Sequence, residues 1–169
     1  MKKNNFLPCL VLSALLLFTF SSCNDDNDDM PATREVKDML VDKKWKMQSW
    51  NLDKGIDLDD DGIPDTNLMS FIDDCDLDNT VIFRKEGKVF SNSGTVRCDA
   101  DEAPERQTYD WTFDGKTQIV KLVEANDRDG ADEWKILELT DTMLKVSFTL
   151  LPEDGKNEAI RTTMLLKAE

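Results

Sequence analysis

The sequence predicts an all-β fold: an antiparallel up-and-down β-barrel of about eight strands, preceded by a short N-terminal helix. One observation is the period-two alternation of Tyr109, Trp111 and Phe113 with polar residues, repeated from Leu144 to Leu150, which is typical of half-buried strands. A second is that the candidate strands follow one another closely without intervening helices, which favours antiparallel hairpins. A sheet of this size usually avoids exposed edge strands by closing into a barrel or by forming two packed sheets, and we favour the barrel over the sandwich.

The elements are expected in the following order. A helix is predicted over Thr33–Lys43, because Val36, Met39 and Leu40 share one face and Thr33 can cap its start. Residues that favour turns separate the strands that follow. The predicted strands are Trp45–Leu52, Thr80–Arg84, Lys88–Ser91, Thr95–Cys98, Tyr109–Asp114, Gln118–Val123, Trp134–Leu139, Leu144–Leu150 and Ile160–Lys167.

The first residues of the chain predict export. Lys2 and Lys3 precede an apolar run from Phe6 to Phe20, and two serines follow before Cys23. A positive start, a short apolar segment and small residues at the cleavage point describe a secretory signal peptide. The apolar run is shorter than the roughly 20 residues of a membrane-spanning helix.

The two serines followed by Cys23 resemble a bacterial lipobox, in which the cysteine becomes the lipidated first residue of the mature protein. The resemblance implies a signal peptide at 1–22, a lipidated acidic tether at 23–32 and a barrel domain at 33–169. It also implies a membrane partner, reached through an acyl chain such as palmitate on Cys23, and an outer-membrane location. The acidic run 24–29 is either a plain spacer or resembles a signal for exposure at the cell surface, and we favour the signal.

Composition excludes several classes of function. The formal net charge is −14, so the surface repels phosphate backbones and we expect no nucleic-acid partner. The chain has no histidine, which removes histidine general bases, Ser–His and Cys–His nucleophiles, and most zinc sites. We therefore expect a protein that is not an enzyme, although a catalytic pair of carboxylates is an alternative.

The cysteines predict one disulfide. Cys9 lies in the predicted signal peptide and Cys23 is assigned to the lipid, so only Cys75 and Cys98 remain for the domain. In the oxidising environment of an exported protein we expect them to be bonded, which stabilises the fold by about 3 kcal/mol in the chain-entropy model. A reactive thiol pair is the alternative.

Taken in order, several segments resemble the bacterial lipocalin-like domains of exported lipoproteins. They are a short helix before Trp45, the segment Cys75–Phe83 with a turn at Gly87, the segment Gly94–Cys98, the aromatic strand Tyr109–Trp111, and Ile136–Leu139. The chain departs from the family pattern at Lys43, where a glycine is usual two residues before the tryptophan. The resemblance implies an eight-stranded barrel whose interior can hold one small apolar or amphipathic ligand. Side chains that fill the interior completely are the alternative.

The four tryptophans are expected to belong to the core or to plug the barrel rather than to contact a ligand; they are Trp45, Trp50, Trp111 and Trp134. The leading hypothesis for function is a surface-anchored binding module of lipocalin-like fold. The alternative is an interaction or structural lipoprotein of the envelope that contacts a protein or a glycan through its loops. The sequence predicts neither the ligand nor the oligomeric state.

An acidic loop predicts a possible Ca²⁺ site. Asp57, Asp59, Asp61 and Asp65 fit the pattern D-x-D-x-D-G-x-x-D, in which alternate aspartates turn their oxygens inward and Gly62 allows the bend. No Glu occupies the twelfth position, so the loop is more similar to the isolated calcium loops of extracellular modules than to an EF-hand. An acidic turn that binds no ion is the alternative.

Overall fold

The computed structural model describes residues 30–126, 131–150 and 159–169. These residues form an α-helix, a single 3₁₀ turn at Leu68–Phe71, and nine strands. The elements are α1 (Met30–Leu40), β1 (Lys44–Ile56), β2 (Asp65–Asn67), β3 (Thr80–Phe83), β4 (Lys88–Asn92), β5 (Glu105–Asp114), β6 (Ile119–Glu124), β7 (Ala131–Leu139), β8 (Met143–Leu150) and β9 (Ile160–Ala168). Within these described ranges, no helix has the length and apolar character needed to cross a membrane.

The strands form a closed antiparallel barrel. They are hydrogen-bonded in the order β2-β1-β3-β4-β5-β6-β7-β8-β9, and β9 returns to pair with β1. Eight strands, β1 and β3 to β9, make the barrel wall, while the short β2 pairs with the far half of β1. The prediction of an up-and-down barrel of about eight strands with a short N-terminal helix is confirmed.

The predicted strand Thr95–Cys98 is wrong, because this segment lies in the loop between β4 and β5. The carboxylate of Asp78, in the preceding interstrand loop, accepts hydrogen bonds from the backbone N–H groups of Thr95 (2.7 Å) and Val96 (3.2 Å). A contact distant in the sequence thus takes the donors that a strand would have used in its ladder.

The helix is displaced from its predicted bounds by about one turn, since it spans Met30–Leu40 rather than Thr33–Lys43. Thr33 therefore lies within the helix rather than at its start. After the helix, Asp42 adopts a positive φ of 56° and its N–H donates to the carbonyl of Phe83 at 2.8 Å. This hydrogen bond turns the chain away from the helix and directs it into β1.

The two ends of the barrel differ. We call the end that carries the β1–β3 loop (57–79) and the β4–β5 loop (93–104) the mouth. We call the opposite end, with α1 and the turns β3–β4, β5–β6 and β7–β8, the floor. This division follows from the antiparallel order, because each successive strand reverses direction.

The floor half of the barrel is filled with side chains. Leu40, Trp45 and Phe83 are each 0% exposed, and Leu144 is almost fully buried. The indole N–H of Trp45 donates to the carbonyl oxygen of Leu40 at 2.8 Å, so the end of α1 is tied to the first strand. The ring of Trp111 meets Phe83 edge to face, with the centroids 5.3 Å apart. The floor is therefore closed by packing and by a buried hydrogen bond.

Lys43 replaces the usual glycine without disturbing this packing. Its Nζ lies 5.7 Å from the ring centroid of Trp45 and donates to the carbonyl oxygen of Asp141 at 3.0 Å. The ammonium group thus covers the indole in a cation–π arrangement. The substitution adds an interaction at the floor, and the barrel remains closed.

Replacing Trp45 with Phe is expected to destabilise the protein by about 1–3 kcal/mol, because the buried carbonyl of Leu40 loses its donor and the smaller ring leaves a void. Urea unfolding monitored by circular dichroism measures the change. The exposed substitution Thr149→Ala is the control, with an expected effect within about 0.5 kcal/mol. An unchanged unfolding free energy in Trp45→Phe would show that this hydrogen bond does not hold the floor.

Candidate functional site

A cavity of about 350 Å³ lies inside the mouth half of the barrel. It is at the lower end of the size range of small-molecule pockets, which begins near 300 Å³. The lining residues face inward from the strands or from the end of the β1–β3 loop. They are Trp45, Met47, Trp50, Asp76, Asn79, Thr80, Val81, Ser91, Tyr109, Asp132, Trp134, Phe148, Leu150, Met164 and Leu166. The barrel is thus filled at the floor and has a cavity in its mouth half, where Leu52, Leu68 and Ile160 form a second buried cluster.

One wall of the cavity is aromatic. The rings of Trp134 and Phe148 are stacked, with centroids 5.7 Å apart and planes inclined by 23°. Trp50 continues this wall at 6.1 Å from Phe148. All four tryptophans were expected to belong to the core or to plug the barrel. Trp111 is buried in the core, and Trp50 and Trp134 are half-buried, pack against the core and also line the cavity. Trp45 does both, because it forms the floor of the cavity.

Three buried polar atoms on the lining residues have no hydrogen-bond partner in the part of the chain that the structure describes. They are Trp50 Nε1, Asn79 Oδ1 and Thr80 Oγ1. A buried donor or acceptor without a partner costs about 1–3 kcal/mol, so these atoms favour any ligand or water that bonds to them. The cavity therefore combines an apolar aromatic wall with a small polar cluster.

Carboxylates lie at the rim of the cavity. Asp132 pairs in register with Leu122 and Glu124 with Tyr109, and directly paired residues share a face of the sheet. Burial raises the pKa of the Tyr109 hydroxyl, and the charges of Asp132 and Glu124 raise it further. Tyr109 consequently remains a neutral hydrogen-bonding group at pH 7, beside negative charges on the inward face.

Two contacts fasten the mouth loops together. The predicted disulfide is present: Cys75 and Cys98 are bonded with their Cα atoms 5.2 Å apart, and they join the β1–β3 loop to the β4–β5 loop. Beside it, Asp78 accepts from the hydroxyl and the N–H of Thr95, both at 2.7 Å. Gly94 has φ +53°, and a Cβ there would overlap the Asp78 carboxylate, so this close approach requires glycine.

The acidic loop brings together three of its four predicted metal ligands. Carboxylate oxygens of Asp57, Asp59 and Asp61 lie within 4.8 Å of one another and are all exposed. Asp65 begins β2 and lies outside this group, but its Oδ2 accepts from the N–H of Leu58 in the same acidic loop at 3.0 Å. Calcium binding by the four aspartates, Asp65 included, stays a prediction.

The remaining predicted site residue, Cys23, lies outside the described residues. The cavity groups that the sequence analysis missed are Asn79, Thr80 and Asp132. For Asp132 a signal was present, since it lies two residues before Trp134 in an alternating strand and must share its face. For Asn79 and Thr80 no local pattern distinguishes an unpaired buried polar group from a paired one.

We expect the Asp78 contacts to make stability depend on pH in the acid range. Hydrogen bonds from Thr95 and Val96 hold the pKa of Asp78 below its usual value of 3.8. A depressed folded-state pKa stabilises the protein above pH 3.8, and this stabilisation is lost as the pH falls through the folded-state pKa. The difference in urea midpoint between wild type and Asp78→Asn should therefore be present at pH 7 and shrink below pH 3.8.

Gly94→Ala provides a second variant for the same contact, because the added methyl group would displace the Asp78 carboxylate. It should be destabilised at pH 7, and the difference between its urea midpoint and that of the wild type should also decrease below pH 3.8. A difference from wild type that stayed constant from pH 7 down to pH 2.5 in both variants would contradict the assigned role of Asp78.

Calcium binding is tested by calorimetric titration of the protein with CaCl₂. Oxygen ligands in exposed extracellular loops give dissociation constants of about 10⁻⁴–10⁻³ M, and we expect binding in that range. The double substitution Asp59→Ala, Asp61→Ala should abolish the heat, while Asp73→Ala in the same interstrand loop should not. Equal heats from the wild type and the double variant would refute the site.

The family model described as a lipocalin-like domain matches residues 41–146. Among solved structures, the chain is similar to a complex of bovine odorant binding protein with a selenium-containing odorant, at 12% identity and a TM-score of 0.41, covering 78% of this chain and 71% of that chain.

A deswapped triple mutant of bovine odorant binding protein is similar at 14% identity and the same TM-score of 0.41, with 76% of this chain and 73% of that chain covered. No curated protein shows significant sequence similarity to the chain. The family match extends over more than half of the sequence, from the residue after α1 to the middle of β8. The chain belongs to the lipocalin-like domain family.

Proposed function

We propose that this protein is a surface-exposed lipoprotein whose barrel takes up one small apolar or amphipathic molecule through its mouth. The observation that carries the proposal is the cavity of about 350 Å³ between the filled floor and the mouth. Its aromatic wall supplies apolar contact, and its unpaired polar atoms supply orientation, a combination typical of small-molecule sites. The absence of histidine supports binding over catalysis by a histidine general base or nucleophile pair.

The proposed anchor is a lipid on Cys23, exposed when residues 1–22 are removed. Support comes from the sequence: a positive start, a short apolar run and two serines before this cysteine. The acidic residues at 24–29 support display on the outer face of the outer membrane. An anchor ahead of α1 is compatible with ligand access, because α1 lies at the floor and the mouth is at the opposite end.

The alternative is a lipoprotein whose loops contact another envelope component. The described surface exposes five large apolar side chains. Leu58, Ile63 and Phe71 lie in the β1–β3 loop, Val96 lies in the β4–β5 loop, and Leu137 lies on β7. Single exposed apolar side chains are normal on a protein surface, whereas the aromatic cavity is a more specific feature. The cavity therefore favours the binding module over the scaffold.

The test of cavity binding uses the neutral fluorescent probe N-phenyl-1-naphthylamine. Its fluorescence should rise on addition of the protein and saturate at one probe per chain. Ser91→Trp places an indole into the cavity and should weaken the probe's affinity by about tenfold or more, which corresponds to about 1.4 kcal/mol.

Thr149→Trp is the matched control, because Thr149 is exposed and is not among the cavity-lining residues. It should leave probe affinity unchanged. Circular dichroism of both variants verifies that they are folded. Absence of probe binding by the wild type, or equal binding by Ser91→Trp, would favour the scaffold function.

A further inference from the structure

We propose that the cavity selects organic cations, meaning small molecules with an aromatic or aliphatic body and a protonated amine, over neutral and anionic molecules of the same shape. The inference rests on the proposed function of the cavity as a ligand site and specifies its ligand class. It is carried by the charge, the aromatic surface and the unpaired acceptors of the lining.

The charged groups of the described lining all have the same sign. Two carboxylates, Asp76 and Asp132, line the cavity, and no Lys or Arg is among the lining residues in the described segments. An ionised carboxylate only accepts hydrogen bonds, and a carboxylate beside an apolar surface favours an approaching positive charge. A fatty-acid carboxylate in the same place would meet repulsion from both groups.

The aromatic wall adds a second preference for cations. Trp134 lies two residues from Asp132 on the same strand, so the indole and the carboxylate share the inward face. Trp50 and Phe148 extend the π surface beside it. Cations are attracted to the faces of such rings, most strongly to tryptophan. An ammonium group in the cavity thus meets a carboxylate and indole faces together.

Two of the three unpaired polar atoms of the lining are oxygens and suit an ammonium group, whereas the third, Trp50 Nε1, is a donor. Thr80 is only 3% exposed, its Oγ1 has no partner among the described residues, and it lines the cavity. Asn79 donates through Nδ2 to Asp76 Oδ1 at 2.6 Å, which leaves its buried Oδ1 as an acceptor without a donor. A primary ammonium carries three donors and no acceptor. The wall near Asp76 therefore offers acceptors to a ligand that brings donors.

The charge distribution of the mouth favours the same ligands at longer range. The loop 57–79 contains nine aspartates and no Lys or Arg, and the loop 93–104 contains three acidic residues against Arg97 alone. Clustered charge of one sign around a cleft raises the local concentration of ions of opposite sign. The mouth thus attracts cations before they reach the lining.

The experiment compares three ligands that share a naphthalene body: the cation 2-naphthylmethylammonium, the neutral alcohol 2-naphthylmethanol and the anion 2-naphthaleneacetate. Their affinities are measured by isothermal titration calorimetry with the purified protein at pH 7 in 20 mM salt. We expect the cation to bind about tenfold more tightly than the alcohol, and the acetate to bind more weakly than the alcohol. Displacement of N-phenyl-1-naphthylamine verifies that each ligand enters the cavity.

Two pairs of variants locate the preference. Both Asp132 and Glu133 are exposed, but Asp132→Asn removes a carboxylate that lines the cavity, whereas Glu133→Gln removes a neighbouring charge that does not. In the same way, Asp73→Asn, at a residue that does not line the cavity, is the control for Asp76→Asn. The substitutions of the two lining residues should reduce the ratio of cation affinity to alcohol affinity by about threefold or more and leave the alcohol's own affinity unchanged. The two control substitutions should leave that ratio unchanged.

The outcomes separate this inference from the function on which it rests. If the alcohol or the acetate binds as tightly as the cation, the ligand class is wrong while the cavity function stands. If Glu133→Gln reduces the preference as much as Asp132→Asn, the preference arises from net charge and the assignment to the lining is overturned. If none of the three ligands binds or displaces the probe, the cavity function fails, and the ligand class with it.

Discussion

The closure of β1 onto β9 around a filled floor is the constraint on which the rest of the structure depends. The two strands pair from Trp45 to Leu52, so the same residues that seal the wall also set the height of the floor. Trp45 is fully buried at that height and holds the end of α1 through its hydrogen bond to Leu40. The cavity begins at Trp45, and Leu52, Leu68 and Ile160 form a second buried cluster on the mouth side.

The contacts that hold the mouth loops also determine the chemistry of the cavity. Asp78 and the disulfide of Cys75 fix the segment that leads into β3. Asn79 and Thr80 follow immediately, and both line the cavity and carry a buried oxygen without a partner among the described residues. Buried polar groups without partners are costly, and natural proteins keep them mainly where they serve a site. The stability of the loops and the polarity of the site therefore have a common origin.

The sequence predicted what depends on local periodicity. The alternation around Trp111 predicted a strand, and the order of short strands predicted the closed barrel. The segment Thr95–Cys98 also has a strand-like composition, but Asp78, 17 residues before Thr95, takes its backbone donors. Asp65 begins β2, and its carboxylate reaches back to the acidic loop through the hydrogen bond from Leu58 N–H. The error at Thr95–Cys98 arose because the partner of this segment lies outside the local pattern.

The site was less predictable than the fold. A half-buried tryptophan such as Trp50 has the same sequence pattern whether it packs in a core or lines a cavity, because the difference depends on strands far apart in the chain. The volume left inside a barrel is a property of all its inward side chains together. The disulfide was the exception, since elimination left Cys75 and Cys98 with only each other.

The central claim is that the mouth half of the barrel is a ligand site. A crystal structure of the protein with 2-bromonaphthalene, with data collected at the bromine absorption edge, tests it most directly. The account predicts one anomalous peak inside the barrel, in contact with Trp134 and Phe148. A barrel interior without a bromine peak, or bromine bound only on the outer surface, would contradict the claim.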